Sequence, residues 1–333
     1  MKLALITDAW SPQINGVVQT LQQVSQCLEA DGHQVMVIHP ALFKNIPCPS
    51  YPEIRLALFP KRRLGIMIRE FQPDHLHIAT EGPLGVSARS YARAQNHNFT
   101  TAFHTQFPEY IQKRIGLPLS ISYRWMKHFH NSGSGTMVST PTVRALLESK
   151  GFDRVKPWCR GVDTELFNPK WRQDLPHAQP VHLYVGRVAV EKNLSAFLQL
   201  DLPGTKVVVG EGPALESLKA KFPKTIFPGK QRGENLAKWY ASSDVFVFPS
   251  RTDTFGLVML EAMSSGTPVA AFPVQGPLDV LTEPKAGIMD EDLGVAIKSA
   301  LTLNRHDCVK FASQFSWKGC ADLFQSHLVP LGN

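Results

Sequence analysis

Short apolar runs of strand length alternate with helical stretches along this chain, and the alternation restarts halfway. In the first half, Leu3–Thr7, His33–His39 and Phe99–Phe103 are such runs, and Gly16–Ala30 between them has helical spacing. In the second half, Val181–Val185 begins a similar series. Strands separated by helices form parallel sheets that are covered on both faces. The sequence therefore predicts an α/β protein with two doubly wound units.

The length of 333 residues favours two domains, because a chain this long seldom folds around a single hydrophobic core. The stretch Phe167–Pro180 has three prolines among mixed polar residues, which is typical of a linker. We therefore place the first domain at 1–168 and begin the second at 169.

The charge is distributed unevenly between the halves. Residues 1–170 contain 19 Lys and Arg against 12 Asp and Glu, whereas the rest is balanced, so the first half carries the whole net charge of +7. A basic surface can face nucleic acid, an anionic membrane or a phosphorylated substrate. The alternative explanation is that these charges only keep the protein soluble.

Composition indicates a cytoplasmic protein. No apolar run reaches 18 residues, so we expect no transmembrane helix. The five cysteines are scattered and form no C-x-x-C pair, which is typical of reduced thiols. No pair of histidines has a convincing metal-ligand context, and we expect no metal.

The strongest functional signal lies between Phe248 and Pro273. A strand ends at Phe248, a polar loop follows, and a helix begins near Gly256. The start of a helix has unpaired amides and a positive dipole end, and so binds a diphosphate well. Glycine permits close backbone approach, and Glu261 is suited to accept ribose hydroxyls. Taken alone, Asp253 and Glu261 would more often be structural, as a helix cap and a surface acid.

Three further motifs follow predicted strands. Arg187 and Lys192 lie five apart on a loop that enters a helix, where two cations can stabilise phosphate charge without a metal. Asn15 and Gly16 open the first predicted helix, and the structural alternative is an Asn15 N-cap. His104 stands at the end of the run Phe99–Phe103, although a lone histidine is usually structural.

Together these motifs resemble glycosyltransferase family 4, whose GT-B fold has two Rossmann-like domains facing a central cleft. The family pattern is E-x-F-G-x-x-x-x-E followed by A-M-A-x-G-x-P-V. This chain has Asp253 in place of the first Glu, and Ser264-Ser265 before Gly266. The form TDTFG resembles the branch of GDP-mannose-dependent mannosyltransferases and sulfoquinovosyl transferases.

The resemblance implies roles for the motif residues. Glu261 would bind the ribose, the pair Arg187 and Lys192 the leaving diphosphate, and His104 would lie near the donor sugar. The loop with Gly16 would lie beneath the diphosphate and the acceptor. The positions that would contact the transferred sugar are Asp253 and the amides of Thr254, Phe255 and Gly256. The amides of Leu257 and Val258 would meet the diphosphate, and the segment with Gly229 and Lys230 would flank the nucleobase.

The resemblance also implies a domain plan and a reaction. Residues 1–168 would bind the acceptor, 169–312 would bind the nucleotide-sugar donor, and 313–333 would cross back onto the first domain. The expected reaction is retaining, metal-independent glycosyl transfer without a cofactor. Mannose from GDP-mannose is favoured over a UDP-sugar, and the acceptor would be a lipid or a saccharide. The alternatives are another GT-B enzyme, an epimerase or a phosphorylase, and a non-catalytic nucleotide-sugar-binding protein.

We expect no nucleic-acid partner, and two basic segments raise the prospect of peripheral contact with the inner membrane face. They are Lys61–Arg69 and Tyr110–His130, which combine cations with aromatic and aliphatic residues. The side chains that would lie at a bilayer interface are Tyr123, Arg124, Trp125, Lys127 and His128. An ordinary basic surface helix explains the same composition.

Overall fold

The computed structural model describes residues 1–13, 15–48, 51–104, 112, 117–253 and 255–332. They divide into two compact units, Met1–Arg160 with Trp317–Asn333, and Gly161–Ser316. The chain passes between the units at 160/161 and 316/317, compared with predicted limits of 168/169 and 312/313.

The first unit is built on a parallel sheet. Its strands in chain order are β1 (Lys2–Ile6), β2 (Gln34–Ile38), β5 (His75–Ile78), β6 (Thr100–Phe103), β7 (Gly135–Val138) and β8 (Val155–Pro157), and a separate antiparallel pair is β3 (Asn45–Cys48) with β4 (Tyr51–Ala57). The order across the sheet is β2-β1-β5-β6-β7-β8. Leu3 to Ile6 of β1 are fully buried, as a near-continuous apolar strand inside a parallel sheet should be.

Helices connect these strands. They are α1 (Gly16–Ala30), α2 (Lys61–Phe71), α3 (Pro83–Ala94), α4 (Leu119–His130) and α5 (Pro141–Ser149). The carboxyl ends of the parallel strands, where ligands of such sheets bind, therefore meet at one edge of the unit.

Helix α1 has the predicted bounds, because both of its ends are encoded locally. The Asn15 side chain accepts hydrogen bonds from the amides of Val17 and Val18, which confirms the predicted N-cap. Gly32 follows the helix in the left-handed region, with φ of 81°. The apolar side chains that this helix buries include Val18, Leu21, Val24 and Leu28, whereas Val17 is half-buried.

The second unit repeats the plan. Its strands are β9 (Val181–Val185), β10 (Thr205–Val209), β11 (Ile226–Gly229), β12 (Val245–Phe248), β13 (Val269–Ala271) and β14 (Gly287–Met289), in the order β11-β10-β9-β12-β13-β14. Its helices are α6 (Leu194–Leu198), α7 (Leu215–Lys221), α8 (Gly233–Ser242), α9 (Leu257–Ser264), α10 (Pro277–Val280), α11 (Leu293–Ala300) and α12 (Arg305–Ala312). The strand pairs are parallel, so this sheet also brings its carboxyl ends to one edge.

The predicted linker Phe167–Pro180 is instead part of the second unit. Phe167 is buried in its core, and the Phe167 carbonyl accepts a hydrogen bond from Ser264 Oγ at 2.6 Å. Trp171 packs against the same core. The prolines interrupt regular structure, but the apolar side chains between them are covered.

The final helix, α13 (Trp317–His327), belongs to the first unit. It packs against α1, and Phe324 is fully buried there. His327 Nε2 lies 2.9 Å from the carbonyl of Pro157 at the end of β8. Across the parts of the chain that the structure describes, no helix combines the length and apolar character needed to cross a membrane.

Candidate functional site

Two predicted motifs of the second unit meet through one ion pair. Lys192 ends a short 3-10 turn after β9, and Asp253 lies on the loop between β12 and α9. Lys192 Nζ donates to Asp253 Oδ1 at 2.5 Å, across 61 positions of sequence. Both side chains are about a quarter exposed, with 24% and 23% of their surface accessible. A cation and a carboxylate therefore share a partly open edge of the sheet.

The loops around this pair are held by short polar contacts. Asn193 Nδ2 donates to the carbonyl of Pro249 at 3.1 Å, which joins the loop after β9 to the loop after β12. The Tyr184 hydroxyl donates to the carbonyl of Arg187 at 2.9 Å. Burial, followed by the charges of Asp253 and Glu191, raises the pKa of Tyr184, so the phenol stays protonated and keeps this bond. The backbone at Arg187 is thus fixed, while its side chain is exposed.

The turn after β10 packs directly against the Arg187 loop. A Cβ on Gly210 would lie 1.9 Å from the carbonyl oxygen of Gly186. No side chain fits there, which supports a structural explanation for the Gly210–Pro213 segment.

Helix α9 begins beside the ion pair. Gly256 is its N-cap, with φ of 87°, a left-handed conformation that favours glycine. A Cβ there would also lie 2.9 Å from Met259 Cε and 3.0 Å from Phe248 Cζ. The amides of Leu257 and Val258 are in the first turn, which has no intrahelical acceptors for them and forms the positive end of the helix dipole.

Glu261 is one of the buried residues of α9, and its carboxylate is oriented by a tyrosine. The residue is 7% exposed, and Oε2 accepts a hydrogen bond from the Tyr240 hydroxyl at 2.8 Å. Burial, and then the charge of Glu261, raises the pKa of Tyr240 well above its usual value. The phenol therefore remains a donor at every physiological pH.

The other predicted positions of this unit lie as follows. Phe255 packs in the core with 8% exposure, so its amide would have to make any contact predicted for that residue. Gly229 ends β11, and Lys230 after it is exposed. Thr254 lies outside the described residues.

In the first unit, the loop after β1 is tied to the start of α3. Asp8 Oδ1 accepts from the amide of Leu84 at 2.9 Å, and Thr80 Oγ1 donates to Asp8 Oδ2 at 2.9 Å. Burial raises the pKa of Asp8, and these hydrogen bonds oppose the rise. Gln13 Nε2 donates to the carbonyl of Asp8 at 3.1 Å. Gly16 follows this loop and is exposed at the first position of α1.

His104 follows β6 and lies in a buried polar cluster. Its Nδ1 is 3.0 Å from Nη2 of Arg160, and its ring lies 5.4 Å from that of Trp158. His104 is 8% exposed and Arg160 is 5% exposed. The pKa of His104 lies well below its usual range, first because burial disfavours the charged ring and then because Arg160 is a cation.

The predicted interfacial side chains separate into two groups. Tyr123 is buried, so its placement at a bilayer interface is wrong: the phase of α4 turns it into the core with Met126. Arg124, Trp125, Lys127 and His128 are exposed. The preceding part of this basic segment, residues 110–111 and 113–116, lies outside the described residues.

A cavity of about 600 Å³ opens beside α4. Four of its lining side chains are basic or imidazole groups, namely Arg93, Arg124, Lys127 and His128. Trp125 and Ile121 on the same helix are each 44% exposed. This face combines positive charge with exposed apolar surface.

Sequence reasoning did not find two residues that orient the predicted groups. Tyr240 carries no motif, and its link to Glu261 depends on the packing of α8 against α9. Arg160 begins the segment Arg160-Gly161-Val162-Asp163, which by itself indicates no role for the arginine. Arg160 follows β8, the last strand of the first unit, and no sequence pattern predicts its contact with a histidine 56 positions earlier.

The second unit therefore offers a cation, helix amides and a fixed carboxylate at one sheet edge. Such a set can hold an anionic diphosphate and a vicinal diol. Among the described residues, no group of three or more His, Cys, Asp or Glu side chains is placed to hold a metal ion.

Comparison with known proteins agrees with this chemistry. The family model described as Glycosyltransferase Family 4 matches residues 14–166, and the model described as Glycosyl transferases group 1 matches residues 179–302. The chain is similar to a GDP-mannose-dependent alpha-mannosyltransferase of Mycolicibacterium smegmatis, with 30% identity over 87% of this chain and 84% of the relative. It is 32% identical to the sulfoquinovosyl transferase SQD2 of Arabidopsis thaliana over 73% of this chain, which spans 51% of that protein.

Solved structures show the same fold. A sucrose-phosphate synthase from Thermosynechococcus elongatus matches 98% of this chain and 97% of its own, with a TM-score of 0.75 and 20% identity. HepE of Anabaena, solved with UDP and glucose, matches 98% of both chains with a TM-score of 0.72 and 15% identity. The predicted GT-B fold, with two doubly wound domains, is confirmed.

Proposed function

The chain belongs to glycosyltransferase family 4, and from that membership we propose that it transfers mannose from GDP-mannose to a lipid or saccharide acceptor. The observation that carries the proposal is the grouping of Lys192, Asp253 and the start of α9 in the second unit. The activity of the GDP-mannose-dependent mannosyltransferase relatives supports GDP-mannose as the donor.

In the proposed complex, the diphosphate lies on Lys192, Arg187 and the amides of Leu257 and Val258. Negative charge develops on the leaving diphosphate, and preorganised donors stabilise that charge better than mobile water does. The Tyr240 bond leaves the Glu261 carboxylate oriented before the ligand arrives, which supports ribose binding. In the protein without ligand, Asp253 pairs with Lys192. In the complex it would also accept a hydrogen bond from a hydroxyl of the sugar, and its contact with Lys192 would weaken.

The transfer is proposed to retain the anomeric configuration and to need no metal or cofactor. The acceptor hydroxyl attacks from the face that the diphosphate leaves, and the leaving phosphate oxygen takes the acceptor proton. We assign no protein nucleophile. The two cations Arg187 and Lys192 supply the charge that a divalent metal would otherwise supply.

The donor is tested by a thermal-shift screen of GDP-, UDP- and ADP-sugars. A ligand at 100 times its Kd stabilises the fold by about 2.7 kcal/mol, which separates the correct nucleotide from the others. We expect GDP-mannose to give the largest shift. Radiolabelled mannose should then move from GDP-mannose to an acceptor in the presence of EDTA, and NMR of the product should show the α-anomer. Equal shifts for all nucleotide-sugars would contradict the proposed donor. Loss of activity in EDTA would contradict the proposed metal independence.

The acceptor is proposed to be a lipid at the inner membrane face, which the protein would approach through the surface of α4. The support is the basic cavity next to exposed Trp125 and Ile121. Each Lys or Arg near an anionic surface contributes about 1 kcal/mol, so several together suffice for reversible binding. The protein would accordingly be cytoplasmic and peripheral.

Vesicle co-sedimentation tests the membrane contact. Binding should rise with the fraction of phosphatidylglycerol in phosphatidylcholine vesicles, and the double variant Arg124→Gln/Lys127→Gln should reduce it. The matched control is Lys219→Gln/Lys221→Gln, which removes two cations from α7 in the second unit. If binding does not depend on lipid charge, or if it falls equally in both double variants, the proposed membrane contact through α4 is refuted.

A further inference from the structure

Arg160 is a buried cation without a carboxylate partner among the described residues. Nη2 contacts His104 Nδ1 at 3.0 Å, and the guanidinium lies 5.1 Å from the ring of Trp158. Nη1 has no hydrogen-bond partner among the residues described. Burial lowers the pKa of Arg160 to about 10, so the group is still charged at neutral pH. A charge in this setting costs stability, which the stacking on Trp158 offsets only in part.

The contact with Arg160 determines which nitrogen of His104 carries the proton. An arginine has five N–H donors and no acceptor, so the hydrogen bond runs from Nη2 to Nδ1. Nδ1 must then be unprotonated. Because His104 is neutral, its proton is on Nε2. This nitrogen is buried and has no acceptor in the described part of the chain.

The surrounding groups favour the same neutral form. In the part of the chain that the structure describes, the charged or titratable groups that face this cluster are Arg160 itself, His77 of β5, His130 of α4 with Glu81 bonded to it, and the thiols of Cys159 and Cys320. Of these, Glu81 bonds His130 rather than His104. Among the described residues, no carboxylate pairs with His104 to stabilise an imidazolium.

We propose that Arg160 is a positioning residue that holds His104 as a neutral Nε2–H donor, aimed at an oxygen atom of the sugar substrate. An unpartnered buried N–H destabilises the fold, and a substrate oxygen would satisfy it. In this arrangement His104 donates a hydrogen bond and does not act as a base, since the nitrogen that could accept a proton is occupied by Arg160. The inference rests on the proposed function, because it takes the ligand to be a sugar.

The tautomer itself is measured without any substrate. Long-range ¹H–¹⁵N NMR of the full chain, labelled on histidine and assigned with His104→Gln, should show a protonated Nε2 and an unprotonated Nδ1 for His104. A proton on Nδ1 in the wild-type protein would overturn the inference. If no sugar is ever transferred, the proposed function fails while this measurement still decides the tautomer.

The role in the reaction is measured by pH dependence. Arg160→Met removes a cation and a donor, so the pKa of His104 should rise, although burial still opposes the charged form. A second proton on the ring adds a buried charge, which should displace Nε2–H from its donor position and lower activity. The acid limb of kcat/KM reports this protonation and should move up by about one pH unit, a size typical for losing a neighbouring charge. Arg160→Lys, which keeps the charge and a donor, should restore much of the wild-type profile.

The matched control is Arg89→Met in the same unit. Arg89 is partly buried and donates to Ser132 Oγ at 2.7 Å and to the carbonyl of His128, and these contacts do not involve His104. Its removal should leave the pH profile unchanged. If Arg160→Met merely lowers the rate at all pH values, with an unshifted acid limb, Arg160 is structural and the proposal is wrong.

Discussion

Replacing Lys192 with glutamine separates the catalytic role of the ion pair from its contribution to stability. The proposed role of Lys192 is to stabilise the charge on the leaving diphosphate. Removing one preorganised donor of this kind lowers kcat by about 10²–10³, equivalent to about 2.7–4 kcal/mol. The same pair is about a quarter exposed on each side, and pairs of that exposure contribute only about 0.2–1 kcal/mol to folding.

The assay compares steady-state turnover with thermal unfolding for Lys192→Gln and a control. Lys219→Gln is the matched control, since Lys219 Nζ donates to Glu216 at 2.9 Å on α7 of the same unit. We expect the control to keep wild-type kcat, and we expect both variants to unfold within a few degrees of the wild type, as a change below about 1 kcal/mol implies.

Two results would refute this reasoning. A kcat for Lys192→Gln close to that of the wild type would show that the diphosphate does not rest on this cation. A large loss of unfolding temperature in step with the loss of rate would show that the pair is structural. The double variant Lys192→Gln/Asp253→Asn distinguishes the cases, because removing both charges should restore stability without restoring turnover.

Three further predictions concern the supporting residues. Tyr240→Phe leaves the buried Glu261 carboxylate without its 2.8 Å donor, so the free energy of unfolding in urea should fall by about 1.5–3 kcal/mol and calorimetry should show weaker GDP binding. Gly256→Ala places a Cβ 2.9 Å from Met259 Cε at φ of 87°, and the left-handed backbone alone should cost about 1–2 kcal/mol of stability in the same urea assay; an unchanged midpoint would contradict the backbone geometry. Burial lowers the pKa of His77 to about 3, so the folded state resists protonation of this ring. The free energy of unfolding should therefore fall by about 1.4 kcal/mol per pH unit as the pH drops from 6.5 towards 3. His77→Leu should remove that slope from the plot of unfolding free energy against pH between about pH 4 and 6. A variant curve that runs parallel to the wild-type curve would contradict this prediction.

The fold was predictable where the determinants are local. Helix α1 carries its own N-cap, apolar residues at helical spacing and a glycine just after its end, and its bounds are those that the sequence predicts. Strand β14 (Gly287–Met289) has three residues and no periodicity, so the sequence analysis did not identify it. The covered segment around Phe167 was mistaken for a linker because its packing comes from distant residues. Tyr123 suits both a bilayer interface and a core, and only the phase of α4 decides between them.

The candidate site was predictable through motif order and family resemblance, not through periodicity. The pairing of Lys192 with Asp253 joins two loops 61 residues apart, and only the parallel sheet brings their strand ends together. The roles of Tyr240 and Arg160 were not predictable, because each acts on a motif residue through a tertiary contact and carries no local pattern of its own.

The central claim is that loops of the second unit bind a nucleoside diphosphate, and a crystal structure with GDP tests it most directly. We predict diphosphate oxygens within hydrogen-bonding distance of Lys192 Nζ and the amides of Leu257 and Val258, with the ribose hydroxyls on Glu261. A nucleotide bound anywhere else in the protein, or a ribose that makes no hydrogen bond with Glu261, would contradict the account.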